Sequence, residues 1–222
     1  MGADIVRTTE DSGKNAYIDV KFEDTMSAGK KKFRSKDLGE KFANVGSFFL
    51  DYLGRYNIPT GYVKSTTSVI RLESHEPAPF VVKARNYLGK SEARLLGVKP
   101  DELLDAPVVE FLYDAEKRKA VPESALTSVG VADPADLQLA TRVACKANAV
   151  LRSFLERRGV ELLEFTLSFG KRNGKLFVVG DLIPPALHAR PIDKNAKAPA
   201  FKFDASHEAR KYADYFIDII TS

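Results

Sequence analysis

The sequence has no tryptophan, one cysteine and three histidines in 222 residues. A single cysteine, Cys145, excludes an internal disulfide and a cysteine-built zinc cluster. It lies between Val143 and Ala147 in a helical pattern, so it is expected to be buried filler rather than a nucleophile. His75, His188 and His207 are distant from one another and show no HExxH-type spacing. No apolar run approaches the roughly 18 residues of a membrane span, and no signal peptide is evident. The expectation is a cytoplasmic chain with no membrane partner. Charge of either sign is also unconcentrated, since 34 Lys and Arg against 30 Asp and Glu leave a net +4 spread along the chain. Nucleic acid would require a clustered basic face with aromatics for stacking, and is not an expected partner. The one dense run, Lys30-Lys31-Lys32 with Arg34 and Lys36, reads as a solvated strand or loop, or as a contact for a small anion.

What is present is a patterned α+β chain. Tyr17 to Phe22 alternates as a strand, and Lys32 to Ser35 is a short second one. From Leu38 to Leu53 the period becomes helical, with Phe42, Val45, Phe48, Phe49 and Tyr52 at steps of three and four. Two extended runs follow, Tyr62 to Ser65 and Ser68 to Leu72. The proline-bounded stretch Ser74 to Pro79 reads as a hinge between two lobes, residues 1–77 and 78–222. Phe80 to Asn86 is a central strand, and a short helix runs from about Gly89 to Leu96. Asp133-Pro134 opens a long helix, with a capping carboxylate and proline at the first helical position. Its apolar stripe is Leu139, Val143, Ala147, Val150 and Phe154, and Gly159 ends it. A hairpin turned by Asn173-Gly174 follows, its second strand ending in Gly180-Asp181. A last helix covers about Ser206 to Ile220, and no internal repeat is found.

Six stretches, in this order, resemble the SAICAR synthetase family: DTMSAGKKK (24–32), NIPT (57–60), ARNYLGKS (84–91), PVVEFLY (107–113), LLEFTLSFG (162–170) and GDLIPPALHAR (180–190). The resemblance covers nearly the whole chain. It implies a two-lobed α+β fold, an antiparallel sheet in the N-terminal lobe and a mixed α/β C-terminal lobe. It also implies a purine-pathway ligase that uses ATP and magnesium to join aspartate to a carboxylated aminoimidazole ribonucleotide.

By the same resemblance, Arg85, Ser91 and Arg190 match residues that grip the ribonucleotide phosphate, and Lys90 adds a positive charge there. Arginine's planar fork suits phosphate, but structural ion pairing of Arg85 and solvent exposure of Arg190 are the alternatives. Asp24 is expected either to face a ligand or to cap a turn. Asp181 alone keeps the charge of the family's metal-binding loop, and His188 nearby is a candidate acid–base group or a packing residue. Glu164 is expected to pair with Arg158 or another neighbour.

Against the family pattern, Thr166 replaces a substrate-facing lysine, Ser168 a metal-serving glutamate, and Val81 a glutamate. The glycine- and lysine-bearing turn over the ATP phosphates is expected to be missing, Ser12-Gly13-Lys14 lying too late to replace it. Three readings follow. One is an altered enzyme that keeps a ribonucleotide-phosphate pocket while its ATP and magnesium machinery is degraded. Another is a non-catalytic metabolite-binding or pathway-partner protein, with homo-oligomers also open. The third is an ATP-dependent aspartate ligase of purine biosynthesis.

Overall fold

The computed structural model describes residues 2–11, 16–28, 31–99, 102–113, 119–193, 195–196, 199 and 206–222. Two antiparallel sheets account for most of it. The first has the order β1-β2-β5-β4, built from Gly2–Asp11, Ala16–Ala28, Val69–Glu73 and Tyr62–Thr66, with β3 (Lys31–Arg34) also paired to β2. Alternation along β2 and β5 turns Val20, Phe22, Ile70 and Leu72 inward. The helix α1 (Leu38–Arg55) meets this face with buried Phe42, Phe49 and Leu53. Sequence reading began the sheet at Tyr17. The structure adds β1 before it, in register from Asp11↔Ala16 to Gly2↔Ser27 with one irregularity. The Ser12-Gly13-Lys14 turn, and Lys30 of the basic run, lie outside the described residues.

The chain leaves the first sheet through Ser74 and His75. Glu76–Tyr87 is then one strand, β6, so the expected hinge shrinks: Glu76 and Pro77 already pair with Lys171 and Gly170. After α2 (Lys90–Leu96) come β7 (Leu103–Tyr113), β8 (Lys119–Val121), α3 (Glu123–Ser128) and α4 (Pro134–Glu156). The hairpin is β9 (Val160–Arg172) and β10 (Lys175–Gly180). A short 3-10 turn at Pro184–Ala186, β11 (Leu187–Pro191) and α5 (Ser206–Thr221) complete the chain. The second sheet runs β10-β9-β6-β7-β8, with β11 on β9. Asn173 and Gly174 both take positive φ (50° and 74°), as a tight two-residue hairpin turn demands.

Helix α4 covers one face of this second sheet. Leu137, Ala140, Ala144, Ala147 and Leu151 belong to the same buried cluster as Val82, Ala84, Phe165 and Leu167. Leu139 and Val150 are only half-buried, so the stripe is turned slightly from the predicted one. Cys145 falls on the exposed side, which corrects its assignment as core filler: its neighbours Ala144 and Ala147 take the inward positions. A buried polar tie fixes the packing, with Asn86 Nδ2 donating to Asn148 Oδ1 at 2.8 Å and to Leu162 O at 3.1 Å.

The two sheets are stitched together by backbone. Gly61 N–H donates to Val178 O at 2.8 Å and Val178 N–H to Pro59 O at 2.9 Å. A Cβ at Gly61 would approach the Phe177 ring to 2.7 Å, so only glycine permits this approach. Helix α5 closes the other end, with Phe216 edge-on to Phe49 of α1. Its fully buried Tyr212 donates to Leu187 O at 2.8 Å and accepts from Ala189 N–H at 3.1 Å. That pair brackets His188, where β11 bulges against β9.

Candidate functional site

The candidate site is the face of the second sheet turned away from α4. Since Val82 and Ala84 point into the core, alternation sends Lys83, Arg85 and Tyr87 to the opposite face. Register then fixes their neighbours: Lys83 lies across from Thr166 on one side and Glu110 on the other, Arg85 across from Glu164, and Val81 across from Ser168. β11 continues the row by setting His188 across from Glu164. An otherwise apolar sheet therefore carries a patch of charged and polar side chains.

Arg85 sits at one edge of this patch, 7% exposed. Its Nε and Nη2 donate to Glu110 at 3.0 and 2.8 Å, and Nη1 and Nη2 donate to Glu92 at 2.9 Å each. Nη1 also reaches Tyr87 O at 3.3 Å. All five guanidinium N–H groups are thereby used. The Glu92 bonds first, with those of Glu110, hold its pKa above the ordinary arginine value. This is the ion-pair alternative, in which a phosphate would have to displace two carboxylates to reach Arg85. Glu92 also accepts from Gly89 N–H at 3.0 Å, so Arg85 anchors the start of α2. Lys90 and Ser91, in that first turn, are exposed.

Arg190 is half-exposed, as its alternative reading held, but its Nε donates to Glu161. Asp24 Oδ1 accepts from Gly39 N–H at 3.0 Å. It caps α1 from the neighbouring strand, because Asp37 at the helix start makes no side-chain cap. Asp24 thus takes the capping role. Glu164 does not meet Arg158, whose guanidinium stacks over Phe154 and donates to Ile219 O. It accepts instead from Lys83 Nζ at 2.9 Å and Tyr87 O–H at 3.1 Å.

His188 is the imidazole of this cluster. Burial pushes its pKa below the ordinary imidazole value, and the Lys83 and Arg190 charges add to that; Glu164 opposes them. Toward the first sheet, Ser168 Oγ donates to Asp181 Oδ2. Asp181 has φ 68°, a left-handed turn immediately after β10, and lines a cavity.

That cavity, about 140 Å³, lies between the sheets. Its walls are largely apolar, including Phe22, Ile70, Leu72 and Ile183, with Arg7, His75, Ser168 and Asp181 as its polar groups. Asp181 is the one carboxylate lining it among the described residues. His75 packs edge-on to Phe177 and hydrogen-bonds Glu73 O at 2.7 Å through Nδ1; burial lowers its pKa.

Sequence reasoning missed Lys83, Tyr87 and Glu110. The signal for Lys83 was available: in FVVKARN the charges Lys83 and Arg85 alternate with Val82 and Ala84 and must point away from the helix that covers those two. Glu110 was not recoverable from local pattern, because its partner lies on another strand.

A two-sheet α+β fold with an apolar inter-sheet cavity opening onto a charged sheet face defines the class. The SAICAR synthetase family profile matches residues 6–201, and the chain belongs to that family. A phosphoribosylaminoimidazole-succinocarboxamide synthase from Methanoculleus marisnigri is 33% identical over 172 residues, covering 75% of this chain and 70% of its own. One of the same name from Aquifex aeolicus is 28% identical over 210 residues, covering 91% and 94%. Among solved structures, a SAICAR synthetase in complex with ADP superposes with a TM-score of 0.83 at 20% identity, covering 98% of this chain and 97% of that one. The Saccharomyces cerevisiae SAICAR synthase complexed with SAICAR gives 0.72 at 11% identity, covering 98% and 93%.

Proposed function

We propose that the protein is an ATP-dependent amide ligase of the SAICAR synthetase type, joining the amine of aspartate to the carboxylate of an aminoimidazole ribonucleotide or a close analogue. One observation carries this reading beyond the family match. The polar row Asp181, Ser168, Thr166, Glu164 runs without interruption from the apolar cavity to the Lys83–Tyr87–His188 cluster. A cavity with apolar walls suits a nucleotide base, and the row suits the groups that must exchange a phosphoryl. Amide formation from a carboxylate needs one oxygen converted to a leaving group, which phosphoryl transfer from ATP supplies, leaving ADP.

Within that scheme Asp181 is the group to hold a magnesium ion, with Ser168 Oγ beside it. Magnesium accepts one or two carboxylates when substrate phosphates complete its shell, so the donor set fits at its lower limit. Bound there, the ion would neutralise phosphate charge. His188, kept neutral by burial, is the base placed to take the proton released as the amine becomes an amide. The test is direct. Incubation with ATP, magnesium, aspartate and the carboxylated aminoimidazole ribonucleotide should release ADP only when all are present. ADP formation that ignores aspartate or the ribonucleotide, or none at all, overturns the reading.

The second reading, a protein that binds the ribonucleotide while its ATP step is altered or lost, is favoured by Ser168. Its hydroxyl is committed to Asp181 and supplies no second carboxylate. Thermal stabilisation by the ribonucleotide, with none from magnesium-ATP, would select it. A ligand present at 100 times its Kd adds about 2.7 kcal/mol, easily read as a shift in Tm.

A further inference from the structure

Asn86 is fully buried and Asn148 is 3% exposed, in the layer between the second sheet and α4. Val82, Ala84 and Asn86 form the row of β6 that faces this helix, and Asn86 ends it. There the ladders give out. Pairing with β9 stops at Arg85↔Glu164, and pairing with β7 jumps from Arg85↔Val108 to Tyr87↔Leu103. In place of a ladder, the Asn86 side chain uses both Nδ2 hydrogens, on Asn148 Oδ1 of α4 at 2.8 Å and on Leu162 O of β9 at 3.1 Å. Leu162 O can only accept, which fixes the way the amide faces. The Asn86 Oδ1 is then left buried with no hydrogen-bond partner among the described residues. An apolar pair would not strand a buried acceptor, so stability does not account for these two asparagines. What directional bonds supply, and apolar packing does not, is a defined position.

We propose that the Asn86–Asn148 pair is a positioning device for the opposite face of the sheet, holding from behind the end of β6 and the groups there that meet the ribonucleotide. The residues that follow show what hangs on it. Tyr87 turns to the other face, where its O–H donates to Glu164 at 3.1 Å and its carbonyl accepts from Arg85 Nη1 at 3.3 Å. Two residues on, Gly89 opens α2, whose Glu92 accepts from both Gly89 N–H and Arg85. A shift at Asn86 therefore moves Tyr87, the start of α2 and the Arg85 ion pairs together. Asn148, on the helix side of the sheet, is a positioning residue that acts through Asn86. This inference rests on the ligase reading for the reaction and on the open sheet face for the place of the ribonucleotide.

The double variant Asn86→Leu, Asn148→Leu tests it. Leucine keeps asparagine's branching, and removing both partners together is close to neutral for the fold, so Tm is expected to hold. Asn148→Ala, which cannot crowd the layer, is the second variant. Calorimetry with the carboxylated aminoimidazole ribonucleotide, without ATP, should show Kd raised about tenfold or more in both, because small misplacements far from the chemistry carry large losses. In the ligase assay KM for the ribonucleotide should rise while KM for ATP stays, since neither asparagine lines the cavity between the sheets. A pair that served stability alone would lower Tm and the amount of active protein and move neither constant. Unchanged ribonucleotide affinity in the folded variants, or equal losses for both substrates, overturns the proposal. A wild type with no affinity for the ribonucleotide overturns it as well. If ADP forms and the variants bind as the wild type does, the positioning role falls and the ligase reading stands. If the wild type binds the ribonucleotide but releases no ADP, the ligase reading falls, and a Kd raised in both variants still upholds the positioning role.

Discussion

At the scale of single residues, Arg85 is held by carboxylates from α2 and β7 that no local sequence pattern ties to it. Arg85→Ala would leave Glu92 and Glu110 facing each other without a cation. Stranding a buried pair's partner costs about 3–5 kcal/mol, but Glu92 is nearly half exposed, and screening brings the expected loss to about 2 kcal/mol. Urea denaturation should show this loss, and Arg85→Lys should recover only part of it because an ammonium cannot bridge two carboxylates as the planar fork does. A lysine variant as stable as the wild type, with ribonucleotide affinity lost, would return Arg85 to the ligand. Glu164 teaches the same lesson. Its nearest sequence-level candidate, Arg158, is engaged with Phe154 and Ile219, and its real partners sit on β6.

At the scale of elements, local pattern carried further. The helix over 38–53, the Asp133-Pro134 start of α4, the Asn173-Gly174 turn and the C-terminal helix all follow from capping, turn chemistry and period, and each is found within a residue or two. The failures are β1, whose exposed Arg7, Thr8 and Thr9 give a strand little apolar alternation, the proline-rich start of β6, and β7, β8, α3 and β11, for which no element was expected. Pro77 and Pro79 are tolerated because the pairing recorded between Pro77 and Val81 is irregular and the strand lies partly open there. The start of α1 gives a prediction at this scale. Asp24→Ala removes the carboxylate that accepts from Gly39 N–H and should cost about 1 kcal/mol in urea unfolding, with ribonucleotide affinity unchanged. Asp24→Asn should restore most of the loss, since an amide oxygen caps as well. Gly39→Ala should cost more than Asp24→Ala, because its Cβ would fall 2.3 Å from Phe22 O, a backbone atom that cannot move aside.

At the scale of the whole molecule, the two sheets share one hydrophobic core and meet around a cavity with His75 in its wall, while His188 lies elsewhere on the second sheet, across from Glu164. None of the described helices is long and apolar enough to cross a membrane. Both imidazoles have pKa values lowered mainly by burial. The sign follows from proton counting. Above the ordinary histidine value of 6.5, folded and unfolded chains both hold these rings neutral, and neither ring makes stability depend on pH. As pH falls through 6.5 the unfolded chain takes up protons that the folded chain refuses, so stability drops until the lowered folded values are reached. Carboxylates bonded to cations, Asp19 to Arg71 and Glu92 to Arg85, have lowered values and withdraw their contribution only at more acid pH, below their ordinary 3.8 and 4.5. The histidine window is therefore separable. Urea unfolding between pH 7.5 and 5.5 should show stability falling with acid, and His188→Asn and His75→Asn should each flatten that slope. His75→Asn should also lower stability at pH 7.5, because the ring fills the space over Gly170 and against Phe177 where the sheets join. A slope that survives both substitutions would mean that neither imidazole is held neutral by the fold, and His188 would then lose its standing as the base beside Glu164.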